Sequence, residues 1–474
     1  MTILHYLLIA LEVVLVFNLI IGVHELGHFL AARWRGLKVE RFAIWFGKPI
    51  WKKKIGSVEY ALGWIPAGGY VSLPQMATME AIEGKTDEHA EQLPPVSPFD
   101  KIIVAFAGPL FSFLLAIVFA VVVWQVGKPS NGLDNSTLVG WVDPSGPAWL
   151  AGIRPGDTIL EVDGHEVKHF SPASSMTDSI TWRIITSTGT NIPIKYLRDG
   201  KEVLTTAPLF HRDTKWYERK ALRQLLIVSA GKATIYDVVT NSPAALAGLK
   251  TGDEVVALNG EKIYSPATVD AAVCAMSNTV VTPLTLTVRR GSEQFDRTLL
   301  AVKPLQPTNT PPQLGILAWL GDTNVTLSHP TPLSQIRDSA GQIFHTFGAL
   351  FAKKGEIGVQ QLGGAVMIIR VYSNLFESED GWLRVLWFSV ILNVNLAMLN
   401  MLPLPMLDGG HITLSLIDLI RRRPSNPHVL NYIQNGFAIL LIGLMAYLAF
   451  FDIGDWVRSS RADREVPLVF AAPK

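Results

Sequence analysis

The sequence HELGH, from His24 to His28, stands at the end of an apolar stretch that covers residues 7–23. On a helix, residues four positions apart share a face, so both histidines can reach one metal ion while Glu25 projects beside them. Ionisable side chains at membrane depth cost about 2.5 kcal/mol or more each, so three together need a compensating partner. A zinc ion is such a partner. The alternative is a hydrogen-bonded polar cluster without a metal.

Three further apolar segments, residues 102–124, 385–407 and 429–451, contain no charged residue. Each is longer than the about 20 residues that a membrane-spanning helix needs. The stretch before HELGH lacks the preceding basic residues and the cleavage site of a signal peptide, so we predict that it is a span as well. The sequence therefore predicts four membrane-spanning helices.

The composition agrees with a membrane protein. Charged residues make up 17% of the 474 residues and the mean hydropathy is +0.28, which excludes a disordered chain and disfavours a wholly soluble one. The net charge of +1 gives no electrostatic basis for nucleic-acid binding. A single cysteine, Cys274, excludes an internal disulfide and a cysteine-ligated zinc cluster.

Basic residues follow the first and the third apolar segments. The positive-inside rule places both of these connections in the cytoplasm. Four spans then leave both termini and residues 127–384 on the outer side, which is the periplasm in a bacterial inner membrane. The basic residues are Arg33, Arg35, Lys38, Arg41, Lys48, Lys52, Lys53, Lys54, Arg421, Arg422 and Arg423.

The outer segment contains an internal repeat, because the motif P-A-x-L-A-G begins at Pro147 and again at Pro243. In both copies a Gly-Asp pair and a turn glycine follow at the same distances. The pattern of strand, short helix, Gly-Asp turn and hairpin resembles the tandem PDZ domains of bacterial proteases. Such domains bind an extended peptide as an added strand. A steric lid without a ligand is the alternative, and the sequence leaves both open.

Two further regions carry weaker patterns. Apolar residues recur at helical spacing within residues 330–354, which predicts an amphipathic helix that packs on the protein or lies on the membrane surface. We favour packing. Residues 453–474 are polar and are predicted as a tail.

Two histidines leave a catalytic zinc one protein ligand short. The sequence NMLPLPMLDG, which begins at Asn400, supplies Asp408. The first and third spans both run inward and end before basic residues, so Asp408 and the histidines approach the same leaflet. Pro403 and Pro405 interrupt the helix there, and broken backbone at membrane depth is tolerated where it lines a cavity. His411 is a rival ligand. Two imidazoles with one carboxylate are a known ligand set of hydrolytic zinc sites, which favours Asp408.

Asparagines on the third span need hydrogen-bond partners in lipid. They are Asn393, Asn395 and Asn400. Substrate backbone exposed by unwinding is one candidate partner, and Asn400 lies nearest the proline-rich break. Hydrogen bonding between helices is the alternative for all three.

HELGH, NMLPLPMLDG and the two repeats between the second and third spans resemble the site-2 intramembrane metalloprotease family, over essentially the whole chain. The resemblance implies that His24, His28 and Asp408 bind one zinc ion and that Glu25 is the catalytic base. It also implies that Asn400 lies near the substrate, with Pro403 and Pro405 in the same substrate-binding segment.

The resemblance assigns a role to the region between the first two spans. Residues 42–46, 58–64 and 68–71 have the pattern of short strands. In the family such a region forms a sheet that dips into the membrane and pairs with substrate through its edge. The implied edge residues are Gly68, Gly69, Tyr70 and Val71. An open edge in lipid is untenable unless it is covered or lines a cavity. A hairpin on the cytoplasmic surface is the alternative.

The predicted fold is a polytopic α-helical membrane protein with a membrane-associated β-hairpin region and two periplasmic PDZ-like α+β domains. The spans are 1–34, 101–126, 382–420 and 428–452, the β region is 35–100, the PDZ-like domains are 127–215 and 222–306, the amphipathic periplasmic helices are 330–380, and the periplasmic tail is 453–474.

The implied function is hydrolysis of peptide bonds within transmembrane segments of single-span proteins already trimmed on their outer side. An anti-sigma factor and remnant signal peptides are the substrates that the resemblance implies. A membrane metal transporter or sensor with the same ligands, or a scaffold without catalysis that acts through its PDZ-like pair, are the alternatives.

Overall fold

The computed structural model describes residues 3–76, 96–131, 136–172, 176–276, 281–320, 325–352, 355–378, 380–423, 425, 427–462 and 467–472. Parts of the predicted ranges lie outside these residues, the longest being 77–95 of the region 35–100. The chain forms two compact units. The first comprises Met1–Pro129, Ser328–Phe344 and Gly363–Asp452, and the second comprises Ser130–Leu327, His345–Leu362 and Ile453–Lys474.

The helices are given in chain order. They are α1 (Ile3–Trp34), α2 (Pro98–Val126), α3 (Pro147–Leu150), α4 (Ile180–Thr186), α5 (Pro243–Leu246), α6 (Ala267–Cys274), α7 (Pro332–Leu350), α8 (Ala365–Glu377), α9 (Gly381–Asn400), α10 (Asp408–Arg421) and α11 (Pro427–Ala462).

The strands follow the same order. They are β1 (Arg41–Phe46), β2 (Trp51–Ile55), β3 (Val58–Leu62), β4 (Ile65–Ser72), β5 (Lys128–Asn131), β6 (Val139–Val142), β7 (Thr158–Val162), β8 (His165–Glu166), β9 (Asn191–Arg198), β10 (Lys201–Pro208), β11 (Ile227–Ser229), β12 (Ala233–Val238), β13 (Glu254–Leu258), β14 (Glu261–Lys262), β15 (Leu284–Arg290), β16 (Glu293–Leu299), β17 (Ile316–Leu320) and β18 (Val325–Ser328).

Among the described residues, four helices are long and apolar enough to cross a membrane: α1, α2, α9 and α11. The prediction of four apolar spans is therefore confirmed. The third apolar segment is not one continuous helix, because α9 ends at Asn400 and α10 begins at Asp408. Pro403 and Pro405, which lack a backbone N–H, lie in this interruption. Helix α11 continues to Ala462, so the first part of the predicted tail is helical.

Small residues bring the helices of the first unit close together. Helix α2 packs against α1, α9 and α10. At Gly27 of α1, an added Cβ atom would lie 2.4 Å from the carbonyl oxygen of Ala107 in α2. Such approach through small residues is typical of helix packing in membranes. The buried small residues of α2 include Ala105, Gly108, Ser112, Ala116 and Ala120.

A four-stranded sheet in the first unit has the order β2-β3-β1-β4, so β2 and β4 are its edges. It packs on α1 through Phe29, whose ring centroid lies 5.4 Å from that of Phe42 and 6.1 Å from that of Tyr60. Strands β1, β3 and β4 occupy the three predicted stretches. Strand β2 was not predicted, and β1 pairs with β3 in parallel, so the region is more than the antiparallel hairpins that its turns suggest.

The second unit contains two repeats with the same order of elements. The first repeat comprises β6, α3, β7, β8, α4, β9, β10 and β11, and the second comprises β12, α5, β13, β14, α6, β15, β16 and β17. Both extend past their predicted ends, because β11 pairs with β6 and β17 pairs with β12. A long connection precedes each of these closing strands, so no short hairpin pattern signals it.

Each repeat has its own apolar core and an equivalent ion pair between a buried aspartate and a partly exposed arginine. Asp157 bonds to Arg198 in the first repeat and Asp253 to Arg290 in the second, at 2.6 Å and 2.7 Å. Both aspartates are 1% exposed. These pairs explain why the Gly-Asp turn recurs in the sequence. The cores include Val139, Ile159 and Ile194 in the first repeat, and Ile235, Val255 and Leu286 in the second.

Candidate metal centre

His24 and His28 lie on one face of α1, as their spacing predicts. Both are buried, and their Nε2 atoms are 3.2 Å apart. The rings meet edge to face, with centroids separated by 4.9 Å. Helix α2 can approach this closely because Gly108 has no side chain. An added Cβ atom on Gly108 would lie 2.2 Å from Nε2 of His28. Gly108 therefore fixes the space in which the His28 ring sits.

Asp408 is the first residue of α10, and its carboxylate faces both histidines. Its Oδ2 lies 3.3 Å from Nε2 of His24 and its Oδ1 lies 3.3 Å from Nε2 of His28. The two glycines after it allow the interrupted segment to fold against α10. An added Cβ atom on Gly409 would lie 2.2 Å from the carbonyl oxygen of Met401, and one on Gly410 would lie 2.0 Å from that of Leu404. The Asp-Gly-Gly sequence thus positions the carboxylate.

Hydrogen bonds from α2 orient both imidazole rings. Nδ1 of His28 donates to the carbonyl oxygen of Val104 at 2.8 Å, and Nδ1 of His24 lies 3.0 Å from Oγ of Ser112. A carbonyl oxygen only accepts, so Nδ1 of neutral His28 carries the proton and its Nε2 keeps a lone pair. Metal-binding histidines typically have such a partner on the other ring nitrogen.

The three side chains fit a zinc ion. A tetrahedral zinc ion bonds to nitrogen and oxygen at about 2.0–2.2 Å, which places two of its ligand atoms about 3.3 Å apart. The separations among His24, His28 and Asp408 are 3.2–3.3 Å. Three protein ligands also match the catalytic type of zinc site, which keeps a fourth position open. His411 is buried on the next turn of α10 but is not part of this cluster.

Glu25 lies beside the cluster and next to the edge of the sheet. Its carboxylate makes no hydrogen bond with another described residue of the chain. Gly69 in β4 approaches it so closely that an added Cβ atom would lie 3.2 Å from Cγ of Glu25 and 3.2 Å from Cγ2 of Ile21. The predicted sheet residue and the predicted base are therefore neighbours.

The other predicted residues of β4 face different surroundings. Arg41 donates to the hydroxyl of Tyr70 at 3.2 Å, and Val71 is buried in the core between the sheet and α1. Gly68 packs under the ring of Phe46, where an added Cβ atom would lie 1.9 Å from a ring carbon. Of the two glycines, Gly69 is the one whose added Cβ atom would meet Glu25.

Asn400, Pro403 and Pro405 lie at the end of α9 and in the interruption that follows. The Asn400 side chain makes no hydrogen bond with another described residue. The carbonyl oxygen of Pro405 accepts a hydrogen bond from Nε2 of Gln434 in α11, at 3.4 Å. Asn393 is fully buried and donates to the Ser389 carbonyl within its own helix, so it does not bond between helices through that group.

Sequence reasoning missed Gly108, Ser112 and Gln434. A lone polar residue in an apolar span was the available signal for Ser112, whereas Gln434 lies among other polar residues, including Asn431 and Asn435. Gly108 is the one glycine of α2, but nothing in the local sequence shows which side chain packs against it.

Comparisons with known proteins indicate the class of protein to which the chain belongs. The family model for peptidase family M50 matches residues 12–444. The chain is 28% identical, over 93% of its length and 97% of the relative, to a Vibrio cholerae protein whose description proposes a zinc metalloprotease. It is 27% identical to Protease RseP of Yersinia pestis, covering 92% of this chain and 96% of that protein. It is also 27% identical to the regulator of sigma E protease of Haemophilus influenzae, covering 91% and 96%.

The family match covers most of the chain, including HELGH in α1 and Asp408 in α10. The four apolar helices make the protein a multi-pass membrane protein. The chain therefore belongs to peptidase family M50 and is a zinc metalloprotease of the site-2 type.

Proposed function

We propose that this protein hydrolyses peptide bonds within the transmembrane segments of single-span membrane proteins. One observation carries the proposal: ligand atoms from α1 and α10 converge within 3.3 Å at a buried point beside Glu25, whose carboxylate has no hydrogen-bond partner among the described residues. Helix α1 is apolar enough to cross a membrane, which favours a site at membrane depth over one that opens to bulk water.

In this proposal His24, His28 and Asp408 hold one zinc ion. When bound, zinc lowers the pKa of a coordinated water toward about 7 and polarises a carbonyl group. The hydrogen bonds that the imidazoles make with the Ser112 hydroxyl and with the Val104 carbonyl oxygen keep them turned toward the ion. Burial of all three ligands keeps competing water away from them.

Glu25 acts as the general base and then as the general acid. Its carboxylate oxygen takes a proton from the attacking water and delivers it to the nitrogen of the leaving amine. The lack of a hydrogen-bonding protein partner among the described residues supports this role, because a carboxylate held in an ion pair is less able to accept a proton. Proton transfer of this kind accelerates reactions by about 10²–10⁴-fold.

A transmembrane helix must unwind before it is cut, because its carbonyl groups are hydrogen-bonded within the helix. Each unpaired backbone group in lipid costs several kcal/mol. One edge of β4 pairs with no other strand that the structure describes, so it offers backbone groups to an unwound strand directly beside Glu25, as in β-strand addition. The Asn400 amide and the segment with Pro403 and Pro405 line the opposite approach to Asp408 in this proposal.

The proposed location is a bacterial inner membrane, with both termini and the two repeats in the periplasm. The basic residues after α1 and α10 support this orientation. The repeats then act as PDZ-like domains, either by capturing peptide or by excluding substrates with bulky outer domains. Anti-sigma factors and remnant signal peptides, both short on the outer side, are the proposed substrates.

The proposal is tested by Glu25→Gln in the full chain, reconstituted with a trimmed single-span substrate. We expect the variant to retain one zinc ion per chain and to lose cleavage by about 10²-fold or more. Glu12→Gln is the matched control, because Glu12 is exposed on the same helix. Normal cleavage by Glu25→Gln would refute the assignment of the base. No cleavage by the wild-type protein, despite bound zinc, would refute the substrate class.

A further inference from the structure

The edge strand β2 carries an exposed surface that is both basic and aromatic. Its sequence is WKKKI, and all its residues are exposed. Trp51 is 53% exposed, and Lys48 precedes it in the connection from β1. We call Lys48, Trp51, Lys52, Lys53 and Lys54 the β2 surface.

The positive charge of the β2 surface is largely unneutralised. Lys52 lies 3.7 Å from Glu59, but Arg41 already contacts the same carboxylate at 2.7 Å. The sequence from residue 41 to residue 58 contains no acidic residue. Within the described part of the chain, neither Lys48, Lys53 nor Lys54 has an acidic partner.

The sheet that bears this surface runs along a membrane span rather than away from it. Gly69 of β4 contacts Glu25, and Nε1 of Trp45 donates to Oδ1 of Asn18 at 2.6 Å. Helix α1 ends at Trp34, which is 73% exposed and stacks beside a basic side chain. Tryptophan with basic residues at the end of a span is typical of the membrane–water interface.

We propose that the β2 surface binds the headgroups of anionic phospholipids at the membrane surface where α1 ends. Lysine stems reach from apolar surroundings to headgroup level, and each lysine near an anionic lipid surface attracts it electrostatically. Trp51 supplies the amphipathic ring that the interface favours. The bound headgroups hold the outer edge of the sheet and thereby keep β4 beside Glu25.

The position of β2 in the sheet favours lipid over a protein ligand. Two strands separate β2 from β4, which places the two edges about 14 Å apart. A peptide at Glu25 lies against β4, so it leaves the β2 edge facing the surrounding membrane. Lysine on an edge strand also discourages pairing with other strands, and the experiment below separates that role from lipid binding.

The test uses the full chain in nanodiscs of phosphatidylcholine with and without phosphatidylglycerol. Native mass spectrometry measures the enrichment of phosphatidylglycerol among retained lipids. A spin label at Ser57→Cys in the β2–β3 turn, with the only other cysteine removed by Cys274→Ser, reports contact with lipid. We expect Lys52→Gln, Lys53→Gln and Lys54→Gln together to lower the enrichment about threefold or more. Salt at about 1 M should do the same, since it shortens the Debye length to about 3 Å.

The matched control replaces three exposed lysines of the second unit, Lys168, Lys201 and Lys232, with glutamine. It removes the same charge and should leave the enrichment unchanged. Equal enrichment in both triple variants, or a label with the same lipid contact in both nanodiscs, would overturn the proposal. The proposal also fails if enrichment is unchanged while the β2 variant raises only the KM for substrates with acidic flanks, because the ligand is then a protein. None of the lipid readouts requires cleavage.

Discussion

Nδ1 of His24 in α1 lies 3.0 Å from Oγ of Ser112 in α2. Among the described residues of α2, Ser112 is the only one with a hydroxyl group buried against the histidines. This contact joins α2 to the metal centre, although α2 supplies no metal ligand. It also sets the orientation of the His24 ring, because the other ring nitrogen must face the metal. The metal centre therefore depends on three helices.

Ser112→Ala should weaken zinc binding by about 10–100-fold, because loss of a partner to a metal-binding histidine has effects of this size. Competition with a chelator on the purified protein measures the change. Ser389→Ala removes a buried hydroxyl that bonds to Tyr372 instead, and it should leave zinc affinity unchanged. Wild-type zinc affinity in Ser112→Ala would show that the contact does not orient His24.

Gly108→Ala should displace the His28 ring and lower the zinc content of the purified protein. The added Cβ atom would lie 2.2 Å from Nε2 of His28, and no real contact is that short. Gly22→Ala, on α1, meets nothing within 4 Å and serves as the control. Metal analysis with circular dichroism on both variants separates a lost site from a lost fold. A full complement of zinc in Gly108→Ala would contradict the packing described for His28.

The Asp253–Arg290 pair should make the second repeat sensitive to acid. Burial alone would raise the pKa of Asp253, but hydrogen bonds from Arg290 and from the Lys250 amide lower the pKa below its usual value. Because the folded pKa is the lower one, the pair stabilises the fold above about pH 4, and this stability is lost as the pH falls below that value. Hydrogen exchange of β13 and β15, corrected for intrinsic rates, should rise over that range.

Arg290→Ala should raise hydrogen exchange in β13 and β15 already at pH 7, because it leaves a buried aspartate unpaired. Arg289→Ala is the matched control. That neighbouring arginine pairs with Glu254, whose side chain is 22% exposed, so its removal leaves no fully buried carboxylate without its partner and should change little. Equal exchange in the two variants would argue against a structural role for the Asp253–Arg290 pair.

The convergence of His24, His28 and Asp408 was largely predictable from the sequence, whereas the residues that support these three side chains were not. HELGH places ionisable residues at helical spacing next to an apolar stretch, and Asp408 follows two prolines at the end of another. Both motifs therefore stand out from the apolar residues around them. Ser112 and Gly108 act through contacts with residues far away in the chain, and no local pattern encodes such contacts. Polar content alone suggested that the chain becomes a tail after residue 452, but α11 continues to Ala462, where Asp455 and Arg458 form an ion pair one turn apart.

The strand order of the four-stranded sheet also depends on contacts between separate segments, which the sequence does not reveal. Turn residues and alternating side chains marked β1, β3 and β4, yet the parallel pairing of β1 with β3 joins segments with β2 between them. The order of the strands in the sheet is a property of pairing between separate segments, and no pattern within one segment encodes it. The ends of the repeats were underestimated for a related reason, since β11 and β17 pair with strands far back in the chain.

The central claim is that His24, His28 and Asp408 together bind one zinc ion. Zinc quantification with X-ray absorption spectroscopy on the purified wild-type protein and on Asp408→Ala tests it most directly, with Asp418→Ala in the same helix as control. The account predicts one zinc ion per chain with nitrogen and oxygen ligands at about 2.0–2.2 Å, lost in Asp408→Ala and kept in Asp418→Ala. Wild-type protein without zinc, or an undiminished zinc site in Asp408→Ala, would contradict it.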